Sequence, residues 1–247
     1  KRFTGRVVSA DDIEFRPLVG FNSAVGATGE GVWPGGGPFN RPADQGVQVE
    51  AISTSALDDV GGTGLITGRL DYLDRDWIAR TFDGTMDGLV ASEFTPTDIL
   101  RVNDFYGLTF GALEESAGTI DIREATTGAP IYTSLVAGSK SAVPGTRAIA
   151  RDTAALIFGW RASVATADSV LFVLGHTYDR TNLNTRLPRP RGVASLRPVG
   201  GNVERDFAVP LYLPWRTDIE IMATRLAGGA VCEVSVDMAI VRLPTQA

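Results

Sequence analysis

The sequence predicts an all-β protein, an antiparallel β-sandwich of jelly-roll type with little helix. The 28 glycines and 13 prolines interrupt the chain every few residues. Between these breaks lie short segments rich in Val, Ile, Thr and aromatic residues, which is typical of strands joined by turns. No segment keeps a helical period for more than about two turns. Only residues 98–104 and 148–155 are candidates for a short helix.

The first 45 residues are predicted to form an extended arm. Residues 26–38 carry six glycines and two prolines and cannot hold a regular strand or helix for any length. An arm that stays ordered must be covered by its own domain or by a neighbouring subunit. Residues 46–247 form the predicted sandwich body. A division into two smaller sandwiches, residues 46–145 and 146–247, is the alternative organisation.

Two patterns define strands in the first half of the body. Residues 47–52 and 119–123 alternate apolar with polar side chains, as a strand with one buried face does. Residues 65–70 and 77–82 flank the acidic segment 71–76, and this arrangement predicts a hairpin with the acidic residues in its turn.

Two further hairpins are predicted in the second half. Residues 156–164 and 169–174 are separated by residues 165–168, which suit a turn. Residues 231–240 alternate most regularly, because Cys232, Val234, Val236, Met238 and Ile240 all face one way. The predicted partner of this last strand is residues 217–224, with residues 227–230 as the turn.

Charge and hydropathy exclude several functions. The formal net charge of −6 disfavours a protein that wraps nucleic acid, since neutralising phosphates requires a basic surface. The apolar runs fall far short of the roughly 20 residues that a membrane-spanning helix needs. The first residues lack a sustained apolar region or a cleavage site, so no signal peptide is evident. We therefore expect neither nucleic acid nor membrane as a partner.

One basic segment stands out in this acidic chain. Residues 186–191 read Arg-Leu-Pro-Arg-Pro-Arg, so that Arg186, Arg189 and Arg191 lie on a proline-stiffened stretch. The segment is interpreted as a solvated loop or as a contact that docks onto an acidic neighbour.

The residues that carry chemistry are too scarce to predict an enzyme. The chain has one cysteine and one histidine, which excludes an internal disulfide framework and a thiolate zinc site. Cys232 is therefore expected to be a free thiol that lies on a strand and packs as a small apolar residue. Residues 61–64, Gly-Gly-Thr-Gly, lack the Lys-Ser/Thr of a phosphate loop. The aspartates at 58, 59, 71, 74 and 76 lack the glycine and the terminal glutamate of an EF-hand. We predict no catalytic residue, no cofactor and no metal.

Aromatic residues beside prolines and the basic segment are the candidate contact residues. Tryptophans at such positions are more often interface or core anchors than a platform for sugars. The residues predicted for an interface are Trp33, Pro34, Phe39, Arg186, Arg189, Arg191 and Trp215.

The order of several short motifs resembles an uncharacterised family of tailed-phage virion structural proteins. The motifs are Val32-Trp33-Pro34, Val49-Glu-Ala-Ile-Ser-Thr-Ser-Ala-Leu-Asp58, Gly62-Thr-Gly64, Leu70-Asp71, Phe82-Asp-Gly84, Leu100-Arg-Val-Asn103, Ala117-Gly-Thr-Ile120 and the approach to the last hairpin, residues 210–219. The resemblance implies a particle component of β-sandwich type and supplies no catalytic residues. The Arg- and Pro-rich stretch 179–198 is longer than the family pattern.

Together these observations predict a non-enzymatic virion protein that is made in the host cytoplasm. The favoured role is a capsid decoration or cement protein on the exterior of a phage head. Its partners would be copies of itself, forming a homo-oligomer and most simply a trimer, together with the major capsid protein or other virion proteins. A neck, collar or tail structural protein is the alternative. A glycan- or receptor-binding module using Tyr72, Trp77 or Tyr178 is a third hypothesis.

Overall fold

Strands account for the regular secondary structure in the computed structural model, which describes residues 12–43, 45–178, 191–196, 199–227 and 230–243. The strands are β1 (Ile13–Phe15), β2 (Leu18–Val25), β3 (Glu30–Gly31), β4 (Val49–Ser53), β5 (Leu65–Asp74), β6 (Ala79–Thr85), β7 (Ser92–Glu93), β8 (Ile99–Phe110), β9 (Ile120–Glu124), β10 (Ile131–Leu135), β11 (Thr146–Ala148), β12 (Thr153–Tyr178), β13 (Arg191–Leu196), β14 (Val199–Pro214), β15 (Thr217–Ala227) and β16 (Ala230–Arg242).

The predicted all-β antiparallel sandwich is confirmed. All the strand pairs are antiparallel, and no α-helix occurs in the described parts of the chain. No helix there could span a membrane. The two candidate helices were wrong: residues 99–104 begin β8, and residues 148–155 form the end of β11, a turn and the start of β12. Their apolar side chains are buried in sheets, and packing overrides weak local preference.

The described strands form two lobes, each with its own core. Lobe one contains strands β4 to β10 in two sheets. One sheet has the order β10-β9-β4-β7 and the other β6-β5-β8. Their facing sides share a core that includes Phe94, Phe105, Leu70 and Ile122. The predicted hairpin is confirmed, because β5 pairs with β6 from Thr67–Thr85 to Leu73–Ala79.

The acidic segment 71–76 does not lie wholly in the hairpin turn as predicted. Asp71 and Asp74 belong to β5 and are buried. Asp74 organises the turn that follows, since its carboxylate accepts hydrogen bonds from the backbone N–H groups of Asp76 and Ile78. Trp77 in that turn has a φ of 64°, which is unusual for a bulky residue.

Lobe two contains β1 to β3 and β11 to β16. Strand β12 is central: its residues 153–165 pair with β16 and β14, and its residues 169–178 pair with β15 and β13. Pro214 pairs with Ala154 and Thr217 pairs with Tyr178. The three-residue step from Pro214 to Thr217 spans at most about 11 Å, so Ala154 and Tyr178 must lie near each other. A straight strand from residue 154 to 178 would instead span roughly 80 Å. Strand β12 forms a three-stranded ribbon with β14 and β13 along one side and β16 and β15 along the other, and this ribbon is therefore folded back on itself.

This fold-back creates the two layers of lobe two, with the ribbon's inner faces in contact. Their core includes Trp160 and Ile157 from one half of β12, Phe172 from the other, and Val236 and Ile221 from β16 and β15. Cys232 is buried in this core as a small apolar residue, as the sequence predicted. Burial raises the pKa of its thiol to about 12, so the reactive thiolate is suppressed.

Two predicted hairpins of the second half are wrong. Residues 156–164 do not pair with residues 169–174; the chain bends between them and places them in different layers. Residues 217–224 do not pair with residues 231–240; β15 and β16 follow one another along the same side of β12. The patterns located the bends correctly, but alternation alone does not specify which strand is the partner.

Strands β1 to β3 place the described part of the predicted arm within lobe two. Strand β2 pairs with β16 and β3 pairs with β15, and Leu18, Val25 and Val32 are buried in the core. The predicted boundaries at residues 45/46 and 145/146 stay predictions.

Buried polar contacts join the two lobes. Arg101 of β8 donates to Asp218 of β15 at 3.0 Å, and Arg41 contacts both Asp218, at 3.2 Å, and Glu220. These four side chains are at most about a tenth exposed. Asn103 exchanges two hydrogen bonds with the backbone of Ala148, at 2.8 and 3.0 Å. Leu73, Trp77, Leu100 and Ala148 form a small apolar cluster beside them.

We expect Arg101→Met to lower the free energy of unfolding by about 3 kcal/mol, because it leaves the buried Asp218 carboxylate short of a cation. It also removes the guanidinium that lies 5.1 Å from the Trp77 ring centroid. The matched control is Arg161→Met, which breaks exposed ion pairs to Glu204 and Asp237 and should cost about 1 kcal/mol or less. Urea unfolding of both variants measures the difference; equal losses would contradict a stabilising role for the junction.

Candidate interaction surfaces

An aromatic face lies on the outer side of lobe two. Phe15, Ala239, Leu156 and Tyr212 are successive cross-strand partners on β1, β16, β12 and β14. Directly opposed residues share one face of a sheet. Their neighbours Ile240, Ala155 and Leu213 pack into the core, so this row faces outward.

The aromatic face exposes large apolar side chains of a kind that is normally buried in the protein interior. Phe15 is 74% exposed, and Tyr212 and Phe158 are also exposed. The rings of Phe15 and Phe158 lie 6.2 Å apart. Farther along the same sheet, Arg161 bonds Glu204 and Asp237 at 3.1 Å. An apolar centre with a charged border is the arrangement found at protein–protein contacts.

A second apolar surface is the loop end of lobe one, formed by residues 54–64, 86–91 and 111–118. It exposes Leu57, Val60, Leu89, Val90 and Leu113, each between 47% and 65%. Backbone hydrogen bonds join the three loops: Gly88 donates to Asp58, Gly111 to Gly64, and Leu113 to Thr63. The five side chains are thus presented from one end of the sandwich, where β4, β6 and β8 end and β5 and β9 begin.

Asp58 holds the loop end together. Its side chain is fully buried and accepts four hydrogen bonds, from Ser53 Oγ at 2.6 Å and from the N–H groups of Leu65, Ala117 and Gly118 at 2.7 to 2.8 Å. A carboxylate with several buried donors is well suited to fix loops, because each backbone N–H would otherwise lack a partner. In the sequence, Asp58 is only one of several aspartates that lack the pattern of an EF-hand calcium site, and its role in the loops was not predicted.

A polar cleft of about 850 Å³ separates β5 and β6 of lobe one from β1, β11 and β16 of lobe two. Its walls include Arg16, Asp71, Tyr72, Arg80, Arg147 and Ile240. Asp71 bonds Arg16 at 3.1 Å and Arg80 bonds Asp74 at 3.0 Å. These carboxylates are therefore engaged by arginines, and the described residues contain no group of three or more His, Cys, Asp or Glu placed to hold a metal ion.

Asp104 lies opposite Asp71 in the register of β8 and β5. Burial raises the pKa of the Asp104 carboxyl to about 6, with Arg147 and the N–H of Phe105 opposing the increase and Asp71 adding to it. Burial also lowers the pKa of Arg147. The junction therefore contains a carboxyl that titrates near neutral pH.

Among the described residues predicted for an interface, Trp33, Pro34 and Phe39 lie beside one another. Trp33 is only 4% exposed; its ring packs in the chain's own interior, 6.4 Å from Phe39. Pro34 and Phe39 are half-buried beside it. Trp215 is half-buried between β14 and β15, where it contacts the core of lobe two and the Arg216 guanidinium lies 4.2 Å from its ring centroid.

The basic segment is only partly described. Arg186 and Arg189 lie outside the described residues. Arg191 starts β13, where its backbone pairs with His176. The interface role of all seven predicted residues stays a prediction.

The exposed residues on the two surfaces were missed by the sequence reasoning. One signal was available for the aromatic face: Leu156, Ile157 and Phe158 are consecutive apolar residues, and a strand with one buried face must expose part of such a run. For the loop end, the pair Leu89-Val90 stands directly after Gly88 in a turn. Neither signal shows which loops meet in space.

Comparisons with known proteins supply no family. No protein-family model and no curated protein sequence matches the chain. Two solved structures of infectious bursal disease virus align with it, one of the Gt strain and one of the VP2 subviral particle, both at 10% identity. They cover 96% and 99% of this chain and 78% and 80% of theirs, with TM-scores of 0.21 and 0.14. Likeness this low carries no argument, and the resemblance to a tailed-phage family stays a prediction.

Stability should fall as pH rises through 6 because of Asp104. Its folded-state pKa of about 6 lies above the ordinary value of 3.8, so the folded protein binds the proton more tightly than the unfolded chain does. This stabilisation is fully present below about pH 3.8, is lost as pH rises to and through about 6, and levels off above that. Between pH 5 and 7.5 the loss should be on the order of 1 kcal/mol.

Urea unfolding at the two pH values tests this expectation. Asp104→Asn should remove that part of the pH dependence. Asp83→Asn is the matched control, since Arg69 lowers the pKa of Asp83 and keeps it ionised throughout this range. An unchanged pH dependence in Asp104→Asn would refute the assignment.

Asp58→Asn should destabilise lobe one by about 3 kcal/mol, because an amide NH₂ cannot accept the hydrogen bonds that the lost oxygen accepted. Hydrogen exchange at Ala117 and Gly118 should accelerate strongly. Asp59→Asn, at a half-exposed neighbour whose carboxylate accepts only from Val60, is the control and should change both quantities little. Similar exchange rates in the two variants would show that Asp58 does not hold the loops.

Proposed function

We propose that the protein is a structural component of a virus particle and acts through contacts between subunits. The observation that carries the proposal is the aromatic face, a sheet face on which the rings of Phe15, Phe158 and Tyr212 are exposed beside a charged border. Burying Phe15 and Tyr212 against another protein is favourable by roughly 25 cal/mol for each Å² removed from water. The loop end adds a second apolar surface on the same chain.

Within this class we propose a capsid decoration protein on the exterior of a tailed-phage head, with the shell protein and further copies of the chain as partners. Two separate apolar surfaces suit this role, since one can contact the shell while the other contacts a neighbouring copy. A neck, collar or tail protein would use the same physics with fewer copies per particle. Copy number separates the two roles: hundreds indicate decoration, about a dozen or fewer indicate neck or tail.

The proposed role is structural, with no catalysis and no cofactor. Its buried carboxylates make structural contacts. Asp58 and Asp74 accept hydrogen bonds from backbone N–H groups of the loop end and of the β5–β6 turn, and Asp218 pairs with two arginines. The net charge of −6 disfavours nucleic acid as a partner. A glycan-binding role through Tyr72 or Trp77 is less favoured because both rings are buried and cannot stack on a sugar without rearrangement.

The test measures binding of the purified protein to particle shells that lack it. The double variant Phe15→Ser/Phe158→Ser should bind at least about tenfold more weakly, a loss of about 1.4 kcal/mol, since two exposed rings no longer lose contact with water on binding. Both side chains are exposed, so the fold should be retained, as circular dichroism would show. Leu226→Ser, an exposed apolar residue on β15, is the matched control.

Shells carrying the wild-type protein should also resist heat or mechanical stress better than bare shells. Equal shell stability with and without the protein would argue against the cement role. Absence of the protein from purified particles by mass spectrometry would overturn the proposed function altogether.

A further inference from the structure

We propose that the loop end of lobe one is the docking site for the basic segment of a second copy of this chain, the segment that carries Arg186, Arg189 and Arg191. This inference rests on the proposed function, because it names one of the subunit contacts through which the protein would act.

The loop end is chemically complementary to a partner that is both basic and apolar. Its three loops expose five Leu and Val side chains, and their charged residues are all acidic: Asp59, Asp87, Glu114 and Glu115, besides the buried Asp58. Lys140 is the cation beside them and lies over the Phe110 ring. An apolar centre with an acidic border repels anionic surfaces and attracts a segment that combines arginine with apolar side chains.

The basic segment is complementary in both respects. Residues 186–191 alternate arginine with leucine and proline, and contain no acidic residue. Arginine pairs with carboxylates through two parallel hydrogen bonds. The prolines restrict the unbound segment, so less conformational entropy is lost when it binds.

The partner must be another copy because the two surfaces lie apart within one chain. Arg191 pairs with His176, which pairs with Ile219, so Arg191 stays within roughly 10 Å of the lobe junction at Asp218. Leu65, at the loop end, is eight residues along β5 from Leu73 at the junction, about 26 Å in an extended strand. Arg189 and Arg186 are two and five residues from Arg191, which corresponds to at most about 7 and 18 Å of extended chain. Strand β12 separates β13 from β15, and β15 pairs on its other side with β11, which contacts β8 of lobe one, so Arg191 starts on the side away from lobe one and neither arginine reaches the loop end of its own chain.

The loop end is ready to bind without reorganisation. The four hydrogen bonds to Asp58 and the backbone bonds between loops hold the exposed side chains in place. A pre-ordered surface avoids part of the entropy loss of association. A contact between two different surfaces of one chain is heterologous, and repeats of it close into rings or extend into filaments.

A charge exchange tests the proposal by sedimentation of the full chain at several concentrations and salt levels. Wild type should associate, less strongly at high salt. Arg186→Glu/Arg189→Glu should weaken association at least about tenfold, and so should Asp87→Arg/Glu115→Arg on the loop end, because each variant opposes like charges. An equimolar mixture of the two variants should regain association, since each reversed surface then meets its opposite.

Two control variants keep the test decisive. Arg151→Glu changes an exposed arginine that belongs to neither the loop end nor residues 186–191, and should associate like wild type. Val60→Ser/Val90→Ser removes apolar contact without changing charge, and should weaken association even if a charge variant fails to fold. A monomeric wild type, charge variants that associate normally, or a mixture that stays dissociated would each overturn the proposal.

The outcomes separate this inference from the proposed function. If charge variants keep self-association but lose binding to shells, the occupant of the loop end is the shell protein and the inference fails while the function stands. If the charge exchange succeeds but the protein is absent from particles, the contact is real and the proposed function fails.

Discussion

The fold depends on the buried ion network that joins the two lobes. Asp218 of β15 pairs with both Arg101 of β8 and Arg41 of the loop between β3 and β4, and Arg41 also contacts Glu220. Four charges are removed from water here, which is costly unless every charge has a partner. Arg101 comes from lobe one, Arg41 from the segment that connects β3 to β4, and both carboxylates from lobe two, so Arg101 and Asp218 are paired only when the two lobes are in contact. The network therefore links the two lobes, and removal of one arginine should be costly because a buried carboxylate loses a partner.

That constraint shapes the rest of the junction. The polar cleft and the titrating carboxyl of Asp104 exist because β5 and β8 are held close to β1 and β11. Trp77, in its unusual conformation, lies under the guanidinium of Arg101, so the turn and the ion network support each other. The loop end lies at the far end of lobe one from this junction, whereas the aromatic face, on the outer side of lobe two, begins at Phe15, directly beside Arg16 of the cleft. Two separate apolar surfaces suit the proposed role as a particle component.

Several elements were predictable because their signals are local. The β5–β6 hairpin followed from two apolar runs around a polar turn, and the burial of Cys232 followed from strict alternation in β16. The hairpins of the second half were not predictable in the same way. A bend between two strands is compatible with pairing across the bend or with passage into another layer, and the partner strand decides which occurs. In this protein β16 and β14 pair with the first half of β12, and β15 and β13 pair with its second half, so that the whole ribbon continues round the bend.

The sequence by itself determined the class of the protein: all-β, acidic, poor in catalytic residues and punctuated by turns. These properties depend on composition and on the two-residue period of strands, which neighbouring residues reveal. Only the tertiary structure decided where the apolar surfaces lie. Trp33, a prominent residue in the sequence, is covered by its own chain, whereas Phe15 and Val60 are exposed. Burial is a property of what packs above a residue, and residues distant in sequence determine it.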